Sequence, residues 1–187
     1  MKRLVFISAF MISATLWSQI SPQSKKVTKT FFPDYEALDN TTPALQKKKG
    51  YTNYSELMAF LNNLVDQHPH IAQLRYIGES QKGKKIPLLS LNKKSSTPKI
   101  KVWMMGGLHG NEPASTEGIL YFLDKILNDI EVSYLLDKIE LAVVPMANID
   151  GYLKQSRYVA NGLDLNRDQT KLMAPESIVI KQAFSDF

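Results

Sequence analysis

The sequence predicts an α/β fold with a mixed, mostly parallel sheet flanked by helices, an α/β sandwich. Three observations predict it. Residues 99–147 run strand, loop, helix, strand, the order of a βαβ unit whose helix needs a parallel sheet to cover. Apolar runs of strand length, "IPLLSL", "KIKVWMM" and "KIELAVV", are set between polar or glycine-bearing turns. The stretch "YTNYSELMAFLNNLVDQHP" instead repeats its apolar residues at helical period.

Residues 1–19 stand apart from the fold. A basic "MKR" precedes "LVFISAFMISATL", an apolar run too short to span a bilayer, and Ser18 offers a small residue before a cut. This pattern predicts an export signal and a periplasmic or secreted location, with no stable membrane span after cleavage. Residues 20–50 are polar and proline-marked without a sustained period, and predict an irregular lead-in.

Order begins at residue 51, and 51–187 are expected to form the domain. Asn53 followed by Glu56 is a capping-box signal. Leu57, Phe60, Leu61 and Leu64 then share one helical face, and Pro69 lies just past the end. "AQLRYIG" and "IPLLSLNK" are strands of a hairpin around "QKGKK". "KIKVWMMGG" is an interior strand, and Trp103, Met104 and Met105 are assigned to the core. "ASTEGILYFLDKILNDI" is a helix with Ile119, Phe122, Leu123, Ile126, Leu127 and Ile130 on its buried stripe. "KIELAVVPMAN" is a fourth strand. Pro175 suits the first turn of a final helix, "PESIVIKQAFSDF".

Composition narrows the chemistry. The chain has 187 residues, 44% hydrophobic and 22% charged, enough for one core. It contains no cysteine, which excludes disulfides, a thiol nucleophile and thiolate metal sites. Any metal must take nitrogen and oxygen ligands. The net charge is +5, but the lysine clusters "QKKKG" and "KGKK" carry no interleaved aromatics. They are solvated turns, and no nucleic-acid partner is expected.

Ligands of parallel sheets bind outside the carboxyl ends of strands. His109 and Glu112 follow one predicted strand end, and Asn148 and Asp150 follow another, so the two loops are expected to meet. An imidazole and a carboxylate three residues apart in a turn are able to converge on one cation. A catalytic zinc takes about three such ligands plus water. For this pair alone, a loop histidine paired with a nearby carboxylate is the alternative. In "PMANIDGYLKQSRYVANGLDLNRDQT", Arg157, Asn166 and Arg167 are a dense set of groups for a carboxylate or carbonyl oxygen. A surface turn with solvated arginines is the alternative there. His68 and His70 flank Pro69 at a helix end, where a histidine interacts favourably with the dipole. Ser115 and Thr116 lack a nucleophile elbow.

Together these pieces resemble the zinc metallocarboxypeptidases, the carboxypeptidase A family. The opening helix and hairpin from "YSELMAF" to "IPLLSL", the "GGLHGNEPAS" loop and the "NIDG" and "DLNRD" segments carry the resemblance, which runs from about residue 50 to 187. It implies hydrolysis of peptide bonds at C-termini, on peptides or cell-wall peptides. By that resemblance His109 and Glu112 would be zinc ligands. Asn166 and Arg167 would hold the terminal carboxylate of the substrate, and Arg157 would polarise the scissile carbonyl and meet the negative charge that develops. Ile149 stands where the family commonly has proline, and Asn111 where digestive members commonly have arginine. The family's third zinc ligand, a later histidine, its specificity tyrosine and its glutamate base have no counterpart here. No histidine follows residue 112. The fold is therefore expected to be a truncated catalytic domain, with weak or no zinc binding and no peptidase activity as it stands. A cytosolic deacylase of the aspartoacylase and succinylglutamate desuccinylase kind also resembles "HGNE" and "DLNR". A non-catalytic binder of peptide termini is a further alternative.

Overall fold

The computed structural model describes residues 24–31 and 42–187. The expected export signal lies outside the described residues. The lead-in, expected to be irregular, contains a short helix, α1 (Lys25–Phe31), with no buried residue. No helix among the described residues is long and apolar enough to cross a membrane.

Helix α2 (Tyr54–Gln67) starts on the predicted capping box. The Asn53 side chain accepts from the Glu56 amide at 3.0 Å, and the Asn53 amide donates to the Glu56 carboxylate at 2.8 Å. Leu57, Phe60, Leu61 and Leu64 are all buried, each worth about 1.5–3 kcal/mol relative to exposure. Strands β1 (Ala72–Glu79) and β2 (Lys85–Leu91) form an antiparallel hairpin turned at Gly83, whose φ of +74° suits glycine. Then come β3 (Ile100–Met105), α3 (Ala114–Asn128), α4 (Ile130–Ser133), β4 (Ile139–Val144), α5 (Ile149–Tyr152) and α6 (Pro175–Asp186).

The sheet order is β1-β2-β4-β3. The mixed sheet among helices is the expected architecture, and β3 and β4 are the expected parallel pair. The parallel majority is not met among the described residues: β2 pairs antiparallel with both β1 and β4. The hairpin inserts its second strand against the free edge of β4, a choice that no local pattern encodes. Leu141, Ala142, Val143 and Val144 are buried in succession, so both faces of the sheet are covered. Helix α6 crosses one face. Val179 packs on Gly78 of β1, where a Cβ would stand 2.5 Å from Val179 Cγ1, and Phe184 meets the Trp103 ring of β3 edge-on at 5.6 Å.

Two expectations need correction. Helix α3 stops at Asn128, because Asp129 is extended and its side chain caps α4 by accepting from the Glu131 amide at 2.9 Å. Ile130 is therefore 89% exposed, and Leu120 takes a core place instead. Trp103, Met104 and Met105 are half-buried and not interior, since β3 is an edge strand.

Candidate active site

The parallel pair β3–β4 positions the site. Its register runs to Met105 opposite Val144, and backbone bonds carry on past both strand ends. The Gly106 amide donates to Val144, the Ala147 amide to Gly106 and the Asn148 amide to Gly107, each at 2.9 Å. The two loops predicted to meet are thus zipped together before either turns away. Gly107 has φ +61°, and Gly110 lies so close to α5 that a Cβ would overlap the Gly151 carbonyl carbon and the Tyr152 amide nitrogen. Ser115 accepts from the Gly107 amide at 2.9 Å and donates to the Glu112 carbonyl at 3.3 Å, clamping the loop at both ends. Its hydroxyl is structural, in keeping with the missing nucleophile elbow. On the other loop, the Asn148 side chain accepts from the Gly151 amide at 2.8 Å and donates to the Arg157 carbonyl at 3.1 Å. Asp150, buried, takes the Ser80 hydroxyl at 3.0 Å and the Lys82 amide at 2.9 Å, and so ties this loop to the β1–β2 turn.

Four side chains close a circuit on this base. His109 is buried, with Nδ1 3.1 Å from Glu112 Oε2 and Nε2 3.1 Å from Asp164 Oδ1. Arg157 donates from Nε to Asp164 Oδ2 at 3.0 Å, and Nη1 stands 3.5 Å from Glu112 Oε1. Asn166 and Arg167 follow at once on a 3-10 turn, Leu165–Arg167, which Asp164 caps by accepting from the Asn166 amide at 2.9 Å. Both are exposed, and the Arg167 guanidinium makes no ion pair among the described residues. Of the residues singled out in the sequence, Glu112 contacts the His109 imidazole directly and Arg157 joins it through Asp164, while Asn166 and Arg167 follow Asp164 in the chain with no contact to the imidazole among the described residues.

The structure adds Asp164, which motif reasoning quoted but left without a task. Burial pushes its carboxyl up, but the Asn166 amide, His109 and Arg157 together hold it below the usual aspartate range. The signal was available: a metal-ligating histidine usually gives its second nitrogen to a carboxylate. Asp168 was also missed. It is buried, and it receives the Met173 amide at 2.9 Å and the Ala174 amide at 2.7 Å, so it fixes the chain between the arginine loop and α6. Burial raises its pKa, and those amides more than reverse the shift. The contribution of Asp168 to stability is therefore fully present above the ordinary aspartate pKa, about 3.9, and fades as pH falls through the lower folded value. Asp168→Asn is expected to cost about 2 kcal/mol near neutrality. Urea unfolding at pH 7 and pH 3 checks this, and the gap between parent and variant should shrink at the lower pH.

The donor set fits a cation in one respect. Two ligands of a tetrahedral zinc, each about 2.0–2.1 Å away, stand roughly 3.3 Å apart. His109 Nδ1 and Glu112 Oε2 are already 3.1 Å apart. A neutral imidazole has one donor and one acceptor, whereas a carboxylate only accepts. With carboxylates on both nitrogens, His109 is satisfied either as an imidazolium or with a cation between Nδ1 and Glu112. No group of three or more His, Asp or Glu residues among the described ones is arranged to hold a metal.

Comparisons with known proteins place the chain in a family. The family profile of the zinc carboxypeptidases matches residues 57–183. Carboxypeptidase 2 of Trichophyton rubrum is 33% identical over 145 residues, covering 74% of this chain and 27% of that protein. Carboxypeptidase D of Mus musculus is 30% identical over 159 residues, covering 72% of this chain and 12% of that protein. The chain thus spans about a quarter or less of the length of these relatives. Among solved structures, a metallo-carboxypeptidase from Burkholderia cenocepacia superposes with a TM-score of 0.67 at 24% identity, over 73% of this chain and 38% of that one. The carboxypeptidase A of Helicoverpa armigera gives 0.67 at 23% identity, over 76% and 46%. These two show a shared fold. With the profile spanning most of its length, the chain belongs to the zinc carboxypeptidase family.

Proposed function

We propose that this chain forms the metal- and carboxylate-binding part of an exported zinc metallocarboxypeptidase acting on the C-termini of peptides or cell-wall peptides. The observation that supports it most is the convergence of His109, Glu112 and Arg157 at the joined ends of β3 and β4. His109 Nδ1 and the Glu112 carboxylate would hold zinc, with Asp164 fixing the imidazole from behind. Zinc held there supplies Lewis acidity toward a carbonyl oxygen or a water. Arg167 and Asn166, exposed and next to one another, offer a bidentate donor and an amide to a terminal carboxylate. Arg157 is anchored through Nε, which leaves its outer nitrogens near Glu112 to meet negative charge developing on a carbonyl oxygen. Asp164 and Glu112 hold that guanidinium in place beforehand, so little reorganisation is needed.

Two candidate ligands and no positioned base among the described residues set the limit. Weak zinc binding and no turnover are expected, because a catalytic site takes about three protein ligands and a base to activate water. Carboxylate recognition is separable from catalysis. A short peptide with a free α-carboxylate is expected to bind about tenfold or more tightly than the same peptide amidated, a preference worth roughly 1.4 kcal/mol. Arg167→Ala should abolish that preference. Calorimetric titration of both peptides measures it, and equal binding of the two would remove the substrate-carboxylate role. Release of the C-terminal residue by this chain alone would contradict the need for a third ligand and a base.

A further inference from the structure

Two lysines from distant parts of the chain meet beside the active-site loops. Lys82 belongs to the β1–β2 turn, Lys154 follows α5, and both are exposed. Asp150 fixes the first of them, taking the Lys82 amide on Oδ2 at 2.9 Å and the Ser80 hydroxyl on Oδ1 at 3.0 Å. A tight turn fixes the second. The amides of Lys154 and Ser156 both donate to the Gly151 carbonyl, at 3.0 and 2.9 Å. Gln155 between them has φ +52°, a left-handed conformation uncommon outside glycine. The two side chains are thereby brought into contact. The Lys82 side chain, and the charge on it, hold the Lys154 pKa below the ordinary lysine range, and Asp150 opposes this only in part. Neither lysine makes an ion pair among the described residues. Asp150 is buried and already taken up by its two donors. Like charges this close repel, and an anion set against both relieves the repulsion.

We propose that Lys82 and Lys154 form a subsite for acidic side chains upstream of the scissile bond, so that the site prefers peptides carrying aspartate or glutamate a few residues before the C-terminus. The inference rests on the carboxypeptidase reading and deepens it by naming a substrate class. Covalent reach ties the lysine pair to the site. Lys154 and Arg157 are three residues apart in the chain, so their Cα atoms stand at most about 11 Å from one another. An extended peptide rises about 3.3 Å per residue. With its scissile carbonyl at Arg157, the two to four residues before that carbonyl cover the distance to Lys154, and the long lysine stems shorten it further. Lys82 lies next to Lys154 on the same loop junction, so both ammonium groups serve one stretch of peptide. Ammonium groups accept no hydrogen bond and repel cations, which leaves carboxylates as the side chains they favour.

The test titrates the full chain by calorimetry at low salt with acetyl-Glu-Glu-Glu-Ala-Phe and acetyl-Gln-Gln-Gln-Ala-Phe, each with a free and with an amidated C-terminus. The acidic peptide should bind about threefold to fivefold more tightly than the neutral one, the scale of exposed ion pairs. That difference should vanish in the double variant Lys82→Gln/Lys154→Gln. It should vanish also at about 1 M salt, where the screening length falls to about 3 Å. Lys94→Gln/Lys138→Gln removes the same charge at the opposite end of the sheet and should leave the difference in place. All four lysines are exposed, so both variants are expected to fold. The preference for a free over an amidated terminus should survive in Lys82→Gln/Lys154→Gln, which separates this subsite from the role of Arg167. Equal binding of acidic and neutral peptides by the parent, an undiminished difference in Lys82→Gln/Lys154→Gln, or an equal loss in Lys94→Gln/Lys138→Gln would each overturn the subsite. Equal binding of free and amidated peptides by the parent would instead overturn the carboxylate reading on which the subsite rests.

Discussion

Replacing Gly110 by alanine is expected to destabilise the domain by about 3 kcal/mol, a large effect for one methyl group. The cause is space and not backbone conformation, since Gly110 is absent from the positive-φ positions. The added Cβ would overlap backbone atoms of Gly151 and Tyr152, which have no rotamer to change. Those atoms are themselves held. The Tyr152 amide donates to the Asn148 carbonyl at 2.9 Å, and the Asn148 side chain caps the same turn. The loops must therefore part, and the alignment of His109 with Arg157 goes with them. Gly118→Ala is the matched control. A Cβ there meets nothing within 4 Å, and in mid-helix the change should stabilise by about 0.5–1 kcal/mol. Urea denaturation of both variants measures the contrast. Gly110→Ala as stable as the parent would show that the two loops do not touch as described.

The second large effect concerns zinc. His109→Ala removes one of two ligands and should lower zinc affinity by about 100-fold or more, beyond the 10–100-fold typical of a lost outer partner. Asp164→Asn keeps shape and burial but removes the charge behind the imidazole, and should weaken zinc about 10-fold to 100-fold. The pair is informative because Asp164 would touch no metal: its effect passes through the tautomer and orientation of His109. Competition with a chromogenic chelator reads both. Zinc binding by His109→Ala equal to that of the parent would take the metal away from this histidine.

Much of this was legible because local physics carried it. The capping box at Asn53, the four-residue stripe of α2 and the Pro175 start of α6 each depend on neighbours within a turn or two. The meeting of the two loops followed from a topological rule about parallel strands, and the Gly110–Gly151 contact bears it out. What stayed hidden was non-local or competitive. Nothing near β2 announces that it will pair with β4 antiparallel. Ile130 fits the α3 period, but Asp129 caps a new turn and ends the helix first. Asp164 sits beside the arginine loop in sequence, and its partnership with His109 spans 55 residues.

The central claim is that one cation and one guanidinium face each other across the joined ends of β3 and β4. Anomalous diffraction at the zinc edge, from crystals of this chain soaked in zinc, tests it most directly. The account predicts one dominant peak within bonding distance of His109 Nδ1 and the Glu112 carboxylate, with Nε2 still on Asp164 and the Arg157 guanidinium on the same side of the cleft. A peak elsewhere, or an imidazole of His109 turned away from Glu112, would contradict it.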